Sequence, residues 1–149
     1  MEMSTLKNPS LTNRKSSKHS NTSMITSSNS LKIYYQNVRG LRSKTNRLHQ
    51  EATNNDYDMI CLTESWLRDG IFNRELFDDR YVVARRDRDH ETSSKSDGGG
   101  VCVAVKSSSS YTIIHRAEWQ CKSVEDLWIT IKPSDSSTSI HVACVYCWI

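Results

Sequence analysis

An uninterrupted apolar run lies near the middle of the chain. Residues 59–62 read Met-Ile-Cys-Leu, which is typical of a strand covered on both faces, and Glu64 follows at the exit of that strand. Open α/β sheets bind ligands at the carboxyl ends of their strands, and Mg²⁺ is usually held by one or two carboxylates together with substrate phosphates. The residues alone leave open whether Glu64 binds a metal, caps the sheet edge or pairs with an arginine.

A shorter alternating pattern precedes this run. Leu31, Ile33 and Tyr35 alternate with Lys32, Tyr34 and Gln36, which predicts a strand with one apolar face, and Asn37 is the next residue on that face. If a helix connects the two strands, they run parallel. Their exits, with Asn37 and Glu64, then share one edge of the sheet.

The connecting segment predicts such a helix. Leu48 and Ala52 share one side of it, Ser43 or Thr45 is a suitable N-cap, and Asn54-Asn55 should end it. Gly40 lets the backbone turn between the first strand and the helix.

Further strands are predicted downstream of the central run. Their ranges are 81–84, 101–106, 111–115, 127–132 and 140–146. The glycines 98–100 allow a sharp turn before the second of these, and a serine-rich connection joins 101–106 to 111–115 in what resembles a hairpin.

Several side chains around these strands leave two interpretations open. Trp66, two residues beyond the central strand, is typical of a core residue, although it could stack on a nucleotide. Phe72, Leu76 and Phe77 are spaced to dock on one face. The alternating charges of 85–90 indicate a solvated segment with local ion pairs, whereas an arginine there could instead face a phosphate.

Three motifs in this order resemble a known family. They are Gln-Asn-Val-Arg-Gly-Leu at 36–41, Leu-Thr-Glu-Ser-Trp-Leu at 62–67 and Gly-Gly-Gly-Val at 98–101. Together they are similar to the endonuclease domain of non-LTR (LINE-type) retrotransposons, which belongs with the apurinic endonucleases to the endonuclease/exonuclease/phosphatase superfamily. The resemblance covers about residues 31–146.

The resemblance implies both a fold and a set of site residues. The fold would be α/β, a partial four-layer α/β sandwich with a mixed sheet, in which residues 31–149 form a truncated domain whose second half is missing. Asn37 and Glu64 would be catalytic and would bind the metal. Tyr146, from the Val-Tyr pair that ends the last strand, would be catalytic and contact the substrate phosphate. Arg88 would be a further phosphate-binding residue. From the residues alone, ordinary packing explains Tyr146 equally well.

The family also uses groups that this sequence lacks. There, an Asp and an Asn of a Gly-Asp-x-Asn segment position and activate the water, and a carboxy-terminal Asp-His pair completes the site. Asp89-His90 lies too early to match that pair. We therefore expect a fragment of a DNA-nicking endonuclease for retrotransposition, inactive alone, with weak or absent binding of Mg²⁺ or Mn²⁺. DNA would be the partner of the longer parent, which would carry a reverse transcriptase. The alternatives are a noncatalytic remnant acting as an interaction module, or a phosphoesterase of the same superfamily.

The missing half also bears on stability. A lone sheet with helices on one side would leave Leu127, Ile129, Val142 and Cys144 uncovered. Apolar faces of this extent favour self-association, so we expect marginal stability of the isolated chain.

Composition adds three points. The chain has a net charge of +3, and the same excess is found in residues 1–30, a Ser/Thr/Asn-rich basic tail that should be disordered. Five cysteines that follow strands, without a spaced framework, indicate reduced thiols. No apolar run is long enough for a membrane span or suited to a signal peptide, so we expect an intracellular protein, nuclear or cytoplasmic, with no membrane partner.

Overall fold

The computed structural model describes residues 30–88, 98–108 and 110–147, which form one α-helix and seven strands in two sheets. The helix α1 spans Thr45–Asn55, and the strands are β1 Ile33–Asn37, β2 Met59–Thr63, β3 Tyr81–Arg86, β4 Val101–Lys106, β5 Tyr111–His115, β6 Glu125–Pro133 and β7 Ile140–Tyr146. Short 3₁₀ turns occupy Asn73–Glu75 and Ala117–Trp119. The predicted tail 1–30, apart from Ser30, and the pair Asp89-His90 lie outside the described residues.

The two sheets have different strand directions. The first sheet has the order β1-β2-β4-β3, in which β1 and β2 are parallel and the other pairs antiparallel. The second sheet, β5-β6-β7, is antiparallel throughout. The predicted α/β class with a mixed sheet is therefore confirmed. The predicted hairpin between β4 and β5 is wrong, because β5 pairs with β6 and the two strands belong to different sheets.

Strand β2 is the centre of the core. All five of its residues are buried, as predicted, because β1 and β4 flank it and both of its faces are covered. On one face Ile60 and Leu62 pack with Leu48 and Ala52 of α1. The other face meets the second sheet.

Helix α1 has the predicted buried side but a different start. Leu48 and Ala52 are its buried residues, as expected. Neither Ser43 nor Thr45 caps it: Lys44 holds the N-cap position without a side-chain cap, and the Thr45 hydroxyl donates to the Leu41 carbonyl at 3.3 Å. The predicted N-cap is therefore wrong, since the amino-terminal turn uses backbone and lysine contacts instead.

The second sheet packs face to face on the first. Leu127, Ile129 and Cys144 are 0%, 1% and 3% exposed, so the predicted uncovered face is wrong for these residues. The prediction treated the strands as one sheet, whereas the chain folds back and places β6 and β7 across β2, β3 and β4. The residues of the first sheet that are buried in this interface are Met59, Cys61, Val101, Val103 and Val105.

Strand β1 extends beyond this cover. Its register aligns Ile33 with Met59 and Tyr35 with Cys61, which places both on the face that the second sheet covers elsewhere. Ile33 is nevertheless 49% exposed and Tyr35 64% exposed, so the predicted apolar face of β1 is not buried. Tyr34, on the other face, packs against the α1 side of the core.

The segment after β2 docks only in part as predicted. Leu76 and Phe77 are buried, but Phe72 is 57% exposed and its ring lies under the Arg74 guanidinium, 4.8 Å away. None of the helices in the described residues combines the length and the apolarity needed to cross a membrane.

All five cysteines are free thiols, as the sequence indicates, and they divide into two groups. Cys61, Cys102 and Cys144 are buried, whereas Cys121 and Cys147 are exposed. Burial raises the pKa of Cys102 from 9.0 to about 12, because desolvation disfavours the thiolate. A hydrogen bond from Ser123 lowers the pKa of Cys121, since it stabilises the charged form.

The packing between the sheets predicts a strong dependence on Leu127. Leu127→Ala should lower the free energy of unfolding by about 2–5 kcal/mol, because it leaves a cavity at a fully buried position. The control is Val145→Ala, at a position that is 46% exposed, which should change that free energy by less than about 1 kcal/mol. Urea unfolding followed by circular dichroism measures both. Equal effects of the two substitutions would contradict the packed interface.

Thiol burial predicts selective alkylation. In the native chain, iodoacetamide should modify Cys121 and Cys147 and leave the other three cysteines protected until the chain unfolds, as peptide mass spectrometry would show. Ser123→Ala should raise the pKa of Cys121 and slow its alkylation near pH 8, because the thiolate is the reactive form. Rapid native modification of Cys102 would contradict the buried position of β4.

Candidate functional site

The segment that carries Glu64 is held by backbone hydrogen bonds on both sides. The amides of Val38, Gly40 and Leu41 donate to the carbonyls of Thr63, Glu64 and Ser65 at 2.9, 2.8 and 3.0 Å, and the amides of Ser65 and Trp66 donate to the carbonyls of Gly100 and Gly99 at 3.1 and 2.9 Å. The sheet ladder thus continues past the end of β2. Glu64 is therefore fixed in position although it lies outside a strand.

This segment has an unusual backbone. Glu64 and Trp66 have φ angles of +54° and +53°, in the left-handed region that residues other than glycine rarely adopt. Ser65 between them is fully buried, and its hydroxyl has no hydrogen-bond partner among the residues that the structure describes. A Cβ on Gly100 would lie 2.7 Å from that hydroxyl, so the glycine leaves room for it. Residues held in such conformations concentrate at functional sites, where the surrounding structure enforces them.

Tyr146 contacts Glu64 directly. At the end of β7, its hydroxyl donates a hydrogen bond to the Glu64 carboxylate across 82 positions of sequence. Glu64 is half-buried, so one carboxylate oxygen is engaged by the tyrosine in a partly desolvated position. Two of the residues that the resemblance selected are thereby brought together by the packing of the two sheets.

Asn37 lies at the same edge of the first sheet as Glu64. We call this edge, with Asn37, Glu64 and Tyr146, the rim. It is the last residue of β1 and pairs in register with Thr63, the residue before Glu64. Its side-chain oxygen accepts a hydrogen bond from the Arg39 amide at 3.2 Å, which restrains the exposed side chain. The predicted meeting of the two strand exits at one edge is confirmed, because β1 and β2 are parallel and end together.

Glu64 determines how Tyr146 titrates. The hydrogen bond to Glu64, then burial and the negative charge of Glu64, raise the pKa of Tyr146 above its ordinary 10.0. The phenol is therefore a hydrogen-bond donor at neutral pH. Since the pKa is higher in the folded state, the interaction stabilises the fold below pH 10, and this stabilisation is lost as the pH rises through the folded value.

Two ion pairs beneath the rim join the sheets. Arg88 contacts Glu125 at 2.5 Å, with side chains that are 7% and 3% exposed, and the Gly100 amide donates to the other oxygen of Glu125 at 2.7 Å. Arg86 pairs with Asp126, also at 2.5 Å. Glu125 therefore links the glycine turn to β6, directly opposite Tyr146 in the register of the second sheet.

The prediction of a solvated segment with local ion pairs is wrong for these two arginines. Among the described residues, Arg85 pairs locally with Asp87, whereas Arg86 and Arg88 reach acids of the second sheet. The sequence carried a signal for this: Glu125 and Asp126 directly precede the predicted strand 127–132 and form the first residues of β6, and buried acids need cationic partners. The guanidinium of Arg88 is engaged by Glu125, and its role toward phosphate stays a prediction.

The donor set at the rim suits a hard cation with few protein ligands. Glu64 and Asn37 offer carboxylate and amide oxygens at neighbouring strand ends. Mg²⁺ keeps several waters and needs only one or two protein carboxylates beside substrate oxygens. Among the residues that the structure describes, no group of three or more His, Cys, Asp or Glu side chains could form a fuller cage. A transition-metal site of nitrogen and sulfur ligands is not what this rim provides.

The contact between Glu64 and Tyr146 predicts a coupled titration. Glu64→Gln should lower the pKa of Tyr146 toward 10.0, because the substitution removes the largest cause of its increase. Glu51→Gln is a matched control, since Glu51 accepts a hydrogen bond from Tyr57 at 3.1 Å and should affect that tyrosine instead. Carbon-13 NMR of labelled tyrosine rings, titrated with pH, separates the two. A Tyr146 pKa that is unaffected by Glu64→Gln would contradict the contact.

Comparison with protein-family models and with curated proteins gives no match. The function proposed for the chain accordingly depends on its motifs and on the geometry of this rim.

Proposed function

We propose that the chain is the amino-terminal part of a Mg²⁺-dependent DNA endonuclease domain of the endonuclease/exonuclease/phosphatase type, similar to those of non-LTR retrotransposons. The observation that carries the proposal is the hydrogen bond from Tyr146 to Glu64, on the rim where Asn37 also ends its strand. Two face-to-face sheets with α1 on the outer side are compatible with one part of the four-layer sandwich that the resemblance implies.

Each rim residue has a chemical role in this proposal. Glu64 and Asn37 supply the oxygens that would hold Mg²⁺ or Mn²⁺, and the metal when bound would polarise a phosphodiester. Tyr146, protonated at neutral pH, donates its one hydroxyl hydrogen to the Glu64 carboxylate and orients it. A contact of Tyr146 with the substrate phosphate would require that hydrogen to turn from Glu64 to a phosphate oxygen. The Arg39 amide fixes the Asn37 oxygen.

The groups that would activate water are not in this sequence. Neither the Gly-Asp-x-Asn segment nor a matching Asp-His pair is present. Catalytic groups that act as a unit are strongly non-additive, so the 149-residue chain alone should bind metal weakly and hydrolyse DNA at the background rate.

A second candidate is a noncatalytic interaction module. The observation that favours it is the exposure of Ile33 and Tyr35 on the uncovered part of the first sheet, at 49% and 64%. In that case Glu64 would have no role in binding a divalent metal.

Metal binding separates the candidates and tests the proposal. Water-proton relaxation with Mn²⁺ should detect weak binding by the chain, and Glu64→Ala should weaken it by at least about tenfold, because a metal ligand is removed. Asp69→Ala removes an exposed carboxylate from the following loop and should have no effect. Mn²⁺ binding that is equal in all three proteins would overturn the proposal and favour the noncatalytic module.

Nicking of supercoiled plasmid in Mg²⁺ tests the expected inactivity. The chain and Glu64→Ala should nick at the same background rate. Nicking by the chain that is lost in Glu64→Ala would show that it is active without the water-activating groups of the family.

A further inference from the structure

A shallow cleft adjoins the backbone segment that carries Glu64. It is lined by Arg39, Gly40, Arg42, Ser43 and Trp66 and has a cavity volume of about 420 Å³. The Gly40 amide donates to the Glu64 carbonyl at 2.8 Å, so one wall of the cleft is bonded to the residue that carries the candidate carboxylate. The cleft therefore adjoins the rim without including Asn37, Glu64 or Tyr146.

Trp66 is the aromatic residue among those that line this cleft. It is 43% exposed, although its neighbours Ser65 and Leu67 are 0% and 4% exposed. The predicted core position of Trp66 is therefore wrong: the left-handed backbone turns its side chain outward while the residues on both sides remain inside.

The indole lies close to two glycines. A Cβ on Gly40 would lie 2.8 Å from Cε3 and 3.2 Å from Cδ2 of Trp66, so the ring rests against the bare backbone of this glycine. A Cβ on Gly98 would lie 3.5 Å from the indole Nε1. The ring is thus packed closely on the main chain of Gly40 and lies near Gly98, and a large part of the residue still faces solvent. A pre-positioned, accessible aromatic surface of this kind can stack a planar ligand at little cost in side-chain entropy.

The charge around the ring is positive. Residues 38–50 contain Arg39, Arg42, Lys44 and Arg47 and no acidic residue. Within the described part of the chain, the guanidinium groups of Arg39 and Arg42 form no ion pair, and both residues are exposed. Guanidinium forks match phosphate oxygens, and aromatic rings beside such cations are the usual surface for unpaired nucleotides.

We propose that this cleft binds single-stranded DNA, with one base stacked on Trp66 and the adjoining phosphates paired with Arg39 and Arg42. The inference deepens the proposed function and rests on it for its biological role, because the stacked nucleotide would lie next to the phosphodiester at Glu64. The binding itself requires neither metal nor hydrolysis.

Fluorescence anisotropy of a labelled deoxythymidine dodecamer, titrated with the full chain in EDTA, tests the proposal. Trp66→Ala should weaken binding by about 5- to 150-fold, the range expected for the loss of one stacked base, and Trp66→Phe should retain most of the affinity. Trp119→Ala is the matched control. Trp119 is 42% exposed, but it lies between β5 and β6 of the second sheet, against Trp128 and His141. This variant should bind as the unmodified chain does.

A dodecamer of abasic spacers separates stacking from charge. The unmodified chain should bind it as weakly as Trp66→Ala binds the deoxythymidine strand. Arg39→Gln and Arg42→Gln should each reduce the slope of log affinity against log salt by about 0.7, the value expected for one phosphate contact on a single strand. A thermal melt of each variant verifies that it is folded.

Three results would overturn the proposal: equal binding by Trp66→Ala and the unmodified chain, equal affinity for the abasic and deoxythymidine strands, or no binding at low salt. Because the titration contains no metal, its outcome is independent of the Mn²⁺ experiment with Glu64→Ala. Failure of the stacking proposal and failure of the metal-site proposal are therefore distinguishable.

Discussion

The apolar contact between the two sheets is the interaction on which the rest of the structure depends. Leu127, Ile129 and Cys144 of the second sheet bury themselves against β2 and β4. Because this contact is non-directional, it fixes how closely the sheets approach but only loosely how they are aligned. The alignment is given by polar contacts at one end, where Arg86 and Arg88 reach Asp126 and Glu125. Buried ion pairs contribute little net stability, but an unpaired buried charge is costly, so misaligned packings are disfavoured.

The same alignment explains three consecutive glycines. They have φ angles between +67° and +92°, and a Cβ on Gly99 would overlap the Arg88 guanidinium. A Cβ on Gly100 would meet the Ser65 hydroxyl. The glycine run therefore accommodates an arginine and a serine from neighbouring segments, and this packing role needs no bound phosphate.

Local periodicity was sufficient to predict β2, the buried side of α1 and the strand bounds near β4 and β7, because each depends on near neighbours in sequence. The parallel pairing that aligns Asn37 with Thr63 followed from the helix between two strands. The division into two sheets could not be predicted from local periodicity. The sequence pattern of β7 is the same whether its apolar face meets solvent or β2. The exposure of Ile33 and Tyr35 was missed for the same reason.

The errors at the site have a different cause. Two interpretations failed there: the assignment of Trp66 to the core, and the local pairing of Arg86 and Arg88. Each assumed ordinary backbone and short-range partners, whereas the chain uses left-handed residues and contacts that span 40 and 37 positions. Motif resemblance did select Glu64 and Tyr146, which lie in contact, but their chemical roles stay a prediction.

The left-handed backbone conformation makes glutamate an unfavourable residue for folding at position 64. Stability and the presence of the acid therefore oppose each other there. Glycine or asparagine would adopt that backbone angle with less strain than a glutamate does. If position 64 were randomised and variants were selected only for resistance to proteolysis, glycine and asparagine should displace glutamate. Persistence of glutamate under that selection would mean that its bond with Tyr146 outweighs the strain, and the carboxylate would then be part of the scaffold as well as of the site.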